Sequence, residues 1–268
     1  MRFFILLSYN GSSYCGWQRQ INGPSVQESL ENAFSAYLRE DVQITGAGRT
    51  DSGVHAVNYI AHLDSCNDIL IKEQQTLIYK INAILPTGIV LHNICQVADD
   101  AHARFDAVSR TYQYLVHTKK TPFLNDYSSL FPYPLDIDKM NSAAEYLVGQ
   151  HDFTSMAKLH SDVKNNICTV TYAKWKMGSP GIITPYEKAI SSDEGGSFIF
   201  TISANRFLRN MVRAIVGSLL EVGRGRQEPE WIADILTKKD RSAAGSSVAS
   251  HALFLINVKY PYELFKKS

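Results

Sequence analysis

Three glycines surround a short polar core in the segment GAGRTDSGVHA, from Gly46 to Ala56. Glycine adopts backbone angles that side chains forbid, so the chain can bend sharply here. An ordinary turn needs one glycine, and three of them around Arg49, Thr50 and Asp51 predict a loop that aims the Asp51 carboxylate into a site. The alternative is that Asp51 caps the turn with its own side chain, as aspartate commonly does.

Length and composition allow one large domain or two smaller ones, since 268 residues with 45% hydrophobic content can bury a full core. No apolar run reaches the roughly 18 residues of a membrane span, so we expect no membrane association. The four cysteines lie far apart without a CxxC pair, and the eight histidines show no HxxxH or HExxH spacing. These patterns predict no disulfide framework and no metal site, and they favour a reducing cytoplasmic setting.

The small net charge of +1 conceals an uneven distribution. Up to Arg104 there are 7 basic and 10 acidic residues, whereas from Phe105 onward there are 20 basic and 16 acidic residues. The densest basic segment is Asn205 to Arg226, with five arginines against one glutamate. Such a surface is compatible with an anionic partner without requiring one.

The first part of the chain alternates strand and helix patterns. Strands are predicted near 2–8, 42–47, 57–63 and 89–97, and helices near 26–39 and 71–84. Ser25 followed three residues later by Glu28 is typical of a capping box at the start of the first helix.

The same order recurs after Arg104, without a repeat in the sequence itself. Strands are predicted at 110–118, 168–177, 197–203 and 253–260, and helices at 138–148, 206–222 and 229–237. Apart from one extra helix, each half is β-α-β-β-α-β, the ferredoxin-like order. We therefore predict an α+β fold with two halves, 1–104 and 105–268. The loop-rich stretches Lys120–Asp136 and Gly178–Gly196 are expected to be insertions.

Alternation along the strand at 110–118 places Arg110, Tyr112 and Tyr114 on one face. Aromatic residues on a strand are usually part of the core. The functional alternative is that a tyrosine stacks on an unpaired base, an interaction worth about 1–3 kcal/mol.

The helix predicted at 206–222 combines an apolar stripe with an opposite face carrying Arg206, Arg209 and Arg213. A solvated charged face is one interpretation, although no acidic residue four positions away supports these arginines. Their planar guanidinium groups suit a carboxylate or a phosphate. A buried Asp51 would need such a partner to remain ionised, and periodicity alone leaves the choice among the three open.

Two other features carry alternatives. Gln18 follows Trp17 near the first strand, and this pair is interpreted either as an RNA contact or as part of the core. His55 follows the glycine-rich loop and is interpreted as a base or, with greater weight, as a structural histidine. Because no P-loop, GxGxxG or GxSxG motif is present, nucleotide hydrolysis, dinucleotide binding and serine-hydrolase chemistry have no support.

These segments together resemble the tRNA pseudouridine synthase A family over most of the chain. The motifs that carry the resemblance are YNGSSYCGWQRQ (9–20), SVQESLENAF (25–34), GAGRTDSGVHA (46–56), INAILP (81–86), HARFDAVSRTYQY (102–114), GQHDF (149–153), ANRFLRNMVRAIVGSLLEVGRG (204–225) and LFLINVKY (253–260).

The resemblance implies roles for individual residues. Asp51 is expected to be the catalytic nucleophile, Arg213 its ion-pair partner, and Arg49 the residue that keeps the target nucleotide out of the helix. Tyr112 is expected to stack on the flipped base, and Leu253 to line the base pocket. The remaining RNA contacts are expected from Arg206, Arg209 and Gln18.

The resemblance also implies an activity and partners. The expected activity is isomerisation of uridine to pseudouridine at positions 38, 39 and 40 of the tRNA anticodon arm, by a cytoplasmic homodimer without metal or organic cofactor. The expected fold has two ferredoxin-like halves around one central, mostly antiparallel sheet. The chain departs from the family pattern at Asn10, where aspartate is common, at Ala101, and in the segment 245–255.

Two rival functions remain. One is a non-catalytic RNA-binding protein with the same double fold, and the other is a hydrolase that uses Asp51 with His55. For the synthase itself, the residues leave open whether Asp51 attacks C1′, attacks C6 of the base or removes the C2′ proton.

Overall fold

A computed structural model describes residues 1–21, 23–158, 165–178 and 196–262. Two compact units can be distinguished, one comprising Met1–Ser109 together with the chain from Leu255 onward, and the other Arg110–Phe254. Both contain an antiparallel sheet with helices, so the chain has the predicted α+β class. The predicted halves, 1–104 and 105–268, stay a proposal about domain organisation.

The first unit has the β-α-β-β-α-β order predicted for it. Its elements are β1 (Arg2–Tyr9), α1 (Val26–Leu38), β2 (Ile44–Gly46), β3 (His55–Asp64), α2 (Ile69–Lys72), α3 (Gln74–Ile84) and β4 (Ile89–Val97). The strand order is β4-β1-β3, with β2 paired to β3, and every pairing is antiparallel. The single helix predicted at 71–84 is divided in two at Glu73, whose backbone is not helical.

The predicted start of α1 is confirmed at atomic detail. The Ser25 side chain accepts a hydrogen bond from the Glu28 N–H at 3.2 Å, which satisfies one of the donors that a helix start leaves open. The Glu28 carboxylate lies 3.3 Å from the Arg19 guanidinium. The helix ends at Leu38, because Arg39 adopts the left-handed conformation.

The second unit adds two short strands that the sequence pattern did not predict, β6 and β7. Its elements are β5 (Ser109–His117), β6 (Ser129–Leu130), α4 (Ile137–Glu145), β7 (Gly149–Asp152), β8 (Ile167–Met177), β9 (Ser197–Ala204), α5 (Met211–Gly223) and α6 (Trp231–Lys238). The sheet order is β5-β9-β8-β7, all antiparallel, with β6 parallel to β5. The last strand, β10 (Leu253–Lys259), begins in this unit, and its residues from Leu255 onward lie beside β3 of the first. Residues 179–195 of the loop-rich stretch 178–196 lie outside the described residues.

The start of the arginine-bearing helix was predicted wrongly. Helix α5 begins at Met211, because Asn210 has a left-handed backbone (φ 67°) and the Met211 N–H closes a turn on the Leu208 carbonyl at 3.1 Å. Arg206 and Arg209 therefore precede the helix and do not share a face of it with Arg213. The helix is also buried around most of its circumference instead of along one stripe; Arg213 and Glu221 are its two half-buried residues.

Large aromatic side chains fill the interior of each unit. Phe3, Phe4, Phe34 and Tyr59 are fully buried in the first unit, and Tyr114, Phe153, Trp175 and Phe200 in the second. Burying a side chain of this size stabilises the folded state by about 1.5–3 kcal/mol.

One titratable group is part of the interior of the first unit. His62 on β3 is buried, its Nδ1 accepts a hydrogen bond from the Ala103 N–H at 3.1 Å, and its ring stacks on Phe4. Burial lowers the pKa of His62 to about 4, and the positive charge of Arg2 acts in the same direction. The native fold therefore contains a neutral imidazole.

We predict that His62 makes the fold sensitive to acid. In the unfolded chain a histidine takes up its proton near pH 6.5, whereas folded His62 does so near 4. The unfolded state thus binds more protons between these values, so the free energy of unfolding falls as pH drops from 6.5 toward 4 and is fully retained above 6.5.

Urea unfolding of wild type and His62→Gln at pH 7.5 and pH 5 checks this prediction. The variant is expected to be less stable at pH 7.5, because it loses the ring contact, and to lose less stability between the two pH values. His151→Gln, on β7 of the other unit, is the control and should retain the wild-type pH dependence. An equally steep fall in His62→Gln would contradict the assignment.

Candidate active site

Asp51 lies in the turn that connects the paired strands β2 and β3. The Val54 N–H donates to the Asp51 carbonyl at 3.2 Å, and Gly53 has a φ of 80°, a conformation that favours glycine. The Asp51 side chain is half-buried and Arg49 is exposed. The sequence therefore predicted correctly that this segment is a tight turn.

The segment Tyr14–Trp17 is hydrogen-bonded to this turn. The Tyr14 carbonyl accepts hydrogen bonds from the Ser52 hydroxyl at 3.2 Å and the Gly53 N–H at 3.3 Å. The Thr50 carbonyl accepts one from the Trp17 N–H at 3.4 Å. The chain on both sides of Asp51 is thus hydrogen-bonded to the segment Tyr14–Trp17.

Three aromatic rings lie beneath the turn. Trp17 stacks on Tyr59 with ring centroids 4.1 Å apart and an interplanar angle of 25°, and Tyr9 meets Tyr59 edge-on at 5.5 Å. All three residues are buried. Trp17 is therefore part of the core, the second of its two interpretations, while its neighbour Gln18 is exposed.

The glycines of the turn have different roles. A Cβ on Gly46 would lie 2.2 Å from the Tyr59 hydroxyl and 2.5 Å from the Trp17 ring, so only glycine fits between the strand and the aromatic cluster. A Cβ on Gly48 would meet nothing within 4 Å. Close packing requires glycine at 46 and backbone conformation favours it at 53, whereas neither accounts for Gly48.

We predict that Gly46→Ala destabilises the protein and Gly48→Ala does not. Overpacking a filled site costs about 1–3 kcal/mol, and here the added methyl meets rigid rings. Thermal unfolding of the two variants beside wild type measures the difference. Equal melting temperatures for the two variants would show that the aromatic cluster yields to the methyl group and that Gly46 is not required by packing.

His55 has a structural contact. Its Nδ1 accepts a hydrogen bond from the Gly11 N–H at 3.1 Å, and the residue is only 2% exposed. The Asn10 side chain accepts from the Ser12 N–H at 3.0 Å in the same turn. An amide oxygen thus makes a bond that an aspartate carboxylate could also accept, which is compatible with asparagine at this position. The interpretation of His55 as a structural residue is supported.

The tyrosine row of β5 divides into a buried and a half-buried member. Tyr114 is fully buried and its hydroxyl donates to the Ala249 carbonyl at 3.0 Å. Burial raises the pKa of Tyr114 to about 12, although the nearby positive charge of Arg213 opposes the rise. Tyr112 is half-buried and meets the Phe207 ring edge-on at 5.1 Å. Tyr112 is thus the more accessible of the two rings.

Arg213 is fastened to the segment that departs from the family pattern. Its Nε donates to the Val248 carbonyl at 2.7 Å, and the Val248 N–H donates to the Arg213 carbonyl at 3.2 Å. A Cβ on Gly217 would lie 1.8 Å from the Ser246 carbonyl oxygen, so the segment lies directly on α5. The unusual sequence here therefore coincides with the part of the chain that orients Arg213.

The remaining predicted residues have individual surroundings. Arg206 donates from one terminal nitrogen to the Asn165 carbonyl at 2.8 Å. Arg209 is exposed, and its carbonyl accepts from the Lys158 N–H at 3.0 Å. Leu253 is buried at the start of β10.

Asp51, Arg49 and Gln18 belong to the first unit, and Tyr112 and Arg213 to the second. The pairing of Asp51 with Arg213 and the stacking by Tyr112 stay predictions. Tyr9 and Tyr59, which lie under the turn, were not among the site residues predicted from the sequence. Tyrosine instead of phenylalanine on buried strands was the signal that could have identified them.

Two further observations bear on chemistry. Burial raises the pKa of the Cys95 and Cys168 thiols to about 11, which makes them poor nucleophiles at neutral pH. Within the described ranges, no three His, Cys, Asp or Glu side chains are grouped to hold a metal ion.

None of the helices in the described part of the chain combines the length and apolar content needed to cross a membrane.

Comparison with known proteins identifies the class. The family model described as tRNA pseudouridine synthase matches residues 143–261. The tRNA pseudouridine synthase A of Bacteroides thetaiotaomicron is 48% identical over 99% of this chain and 93% of its own. The enzyme of the same name from Porphyromonas gingivalis is 46% identical over 98% of this chain and 99% of its own. The enzyme of that name from Francisella tularensis is 37% identical over 99% of this chain and 96% of its own. The chain therefore belongs to the pseudouridine synthases and, among them, to the tRNA pseudouridine synthase A family.

Proposed function

We propose that this protein converts uridine to pseudouridine at positions 38, 39 and 40 of the tRNA anticodon arm, with Asp51 as the catalytic carboxylate. Membership of the tRNA pseudouridine synthase A family supports the reaction. The observation that supports the site is the Asp51 turn itself, in which a half-buried carboxylate is presented by backbone tied to Tyr14 and Trp17.

The reaction is an isomerisation that needs no external reactant. The bond between N1 of the base and C1′ breaks, a bond between C5 and C1′ forms, and the hydrogen on C5 is released to solvent while N1 gains a proton. Asp51 acts as a nucleophile on C1′ or C6, or removes the C2′ proton. All three routes require an ionised carboxylate next to the sugar or base.

A uridine inside the arm must first leave its stack, at a cost on the order of a few kcal/mol. Arg49 keeps the nucleotide in the extruded position, and Tyr112 stacks on the flipped base. Arg213 forms an ion pair with Asp51 and favours its ionised form. The Val248 carbonyl accepts from Nε of Arg213 and so orients the guanidinium, whose planar fork suits a carboxylate.

The wider binding surface and the cellular setting complete the proposal. Arg206, Arg209 and Gln18 contact RNA outside the base pocket, Leu253 lines the pocket, and phosphate contacts make binding dependent on salt. The protein acts in the cytoplasm as a homodimer, without a metal or organic cofactor. A purely RNA-binding protein gains nothing from a carboxylate facing an anionic ligand. In a hydrolase, the use of His55 as a base would compete with the hydrogen bond that its Nδ1 accepts from the Gly11 N–H.

We predict that Asp51→Asn abolishes turnover and preserves tRNA binding. The amide has nearly the same shape but supplies neither a nucleophile nor a base. Tritium release from unmodified tRNA labelled at uridine C5 measures the reaction, since C5 must lose its hydrogen. Asp68→Asn, an exposed carboxylate paired with Lys72, is the control and should react at the wild-type rate. Wild-type rates in Asp51→Asn would refute the catalytic role, and bound tRNA without release by wild type would favour the RNA-binding rival.

We also predict that Tyr112→Ala slows the chemical step more than it weakens tRNA binding, because phosphate contacts dominate affinity. A loss of stacking worth about 1–3 kcal/mol corresponds to roughly a 5- to 150-fold slower reaction of the bound complex. Single-turnover rates and filter binding separate the two effects. The control is Tyr172→Ala, an exposed tyrosine on β8 of the same unit. Collapse of affinity with a normal rate in the bound complex would show that Tyr112 has another role.

A further inference from the structure

We propose that the buried hydroxyl groups of Tyr59 and Tyr9 are positioning groups for Asp51 and set the rate of its reaction. This inference rests on the catalytic role proposed for Asp51. Neither tyrosine needs to touch the substrate. Tyr59 acts through the Gly48 backbone and Tyr9 through the Thr50 hydroxyl, both on the chain that leads into Asp51.

Tyr59, on β3, forms two hydrogen bonds to the same backbone residue. Its hydroxyl donates to the Gly48 carbonyl and accepts from the Gly48 N–H at 3.4 Å. Gly48 lies directly before Arg49 and three residues before Asp51. One side chain therefore engages both polar backbone groups at the entrance to the turn.

Tyr9, on β1, anchors the chain at Thr50. Its hydroxyl lies 2.9 Å from the Thr50 hydroxyl, and Thr50 directly precedes Asp51. The Thr50 carbonyl also accepts the Trp17 N–H. Gly48 and Thr50 are thus anchored on either side of Arg49, which itself is exposed.

The surroundings of the two hydroxyls make them effective anchors. The residues are 0% and 4% exposed, and stacking on Trp17 fixes the Tyr59 ring. A phenylalanine would fill the same space without bringing a polar atom into the core. Because a buried hydroxyl is unfavourable unless it is hydrogen-bonded, the bonds to the turn account for tyrosine at both positions. Supporting groups of this kind fix a reactive side chain to within about 0.5 Å.

The two tyrosines anchor only the chain on the N-terminal side of Asp51. On the C-terminal side, Ser52 and Gly53 donate to the Tyr14 carbonyl, and Val54 donates to Asp51. Removing one hydroxyl leaves those bonds intact, so the turn still folds while the approach to Asp51 loosens. A misplacement of about 1 Å can slow an enzyme reaction by roughly 100-fold.

Tyr59→Phe and Tyr9→Phe test the proposal in the full-length protein. Tritium release from C5-labelled tRNA is followed in single turnover with enzyme in excess, and the dissociation constant for tRNA is measured separately. We expect each variant to react at least tenfold more slowly than wild type with a dissociation constant within twofold. Two variants keep the test informative if one of them folds poorly.

Tyr260→Phe is the matched control. Tyr260 is buried in the same unit, and its hydroxyl donates to the Ala103 carbonyl at 2.5 Å, away from the turn. It should lower the melting temperature like the other two changes and leave the single-turnover rate unchanged. A comparable slowing in Tyr260→Phe would mean that general destabilisation explains the effect, and the proposal would be wrong.

Asp51→Asn in the same assay separates this inference from the proposed function. If Asp51→Asn is inactive and both Tyr→Phe variants react at the wild-type rate, the positioning role is refuted and the catalytic role of Asp51 stands. If Asp51→Asn reacts normally, or wild type releases no tritium, both proposals fail.

Discussion

The stacked pair formed by Trp17 and Tyr59 is the contact on which the proposed site depends. Trp17 donates through its backbone to Thr50 and accepts from Gln27 in α1, so one residue joins the first helix to the Asp51 turn. Tyr59 supplies the ring on which the indole rests and a hydroxyl that reaches Gly48. Because the rings occupy the space beside Gly46, strand, helix and turn can only move together.

Arg213 is fixed by a different but comparable arrangement. Helix α5 is buried almost all round, which is unusual for a helix that carries an arginine. The charge is accommodated because the side chain donates to the Val248 carbonyl and is only half-buried. Gly217 lets the backbone of the 245–248 segment approach the helix closely enough for that bond. The segment that departs from the family pattern thus contacts Arg213 through backbone atoms, which are independent of side-chain identity.

Sequence patterns predicted most of the architecture because they report local physics. The capping serine at 25 and the strand β5, predicted at 110–118 and observed at Ser109–His117, depend on neighbours in the chain, and both were predicted correctly. The start of α5 was predicted wrongly, because the apolar helical pattern of Leu208 and Met211 continues across Asn210. The left-handed backbone of Asn210 prevents the helix from including the residues before Met211. Strands β6 and β7 contain two and four residues, too few to show a period. For the proposed site, the Asp51 turn could be predicted from its glycines, whereas the contact between Tyr59 and Gly48 could not, because it forms only when β3 and the turn are placed together.

Both charged residues of the proposed pair are oriented by uncharged groups. Tyrosine hydroxyls and backbone amides fasten the Asp51 turn, and a backbone carbonyl fastens Arg213. A lysine in place of a tyrosine would attract the Asp51 carboxylate, and a glutamate in place of the carbonyl would attract the Arg213 guanidinium, so each would compete for the charge of the residue that it orients. Neutral anchors avoid that competition. Electrostatic stabilisation is most effective when the groups are oriented before the reaction begins, since no reorganisation is then needed in the transition state.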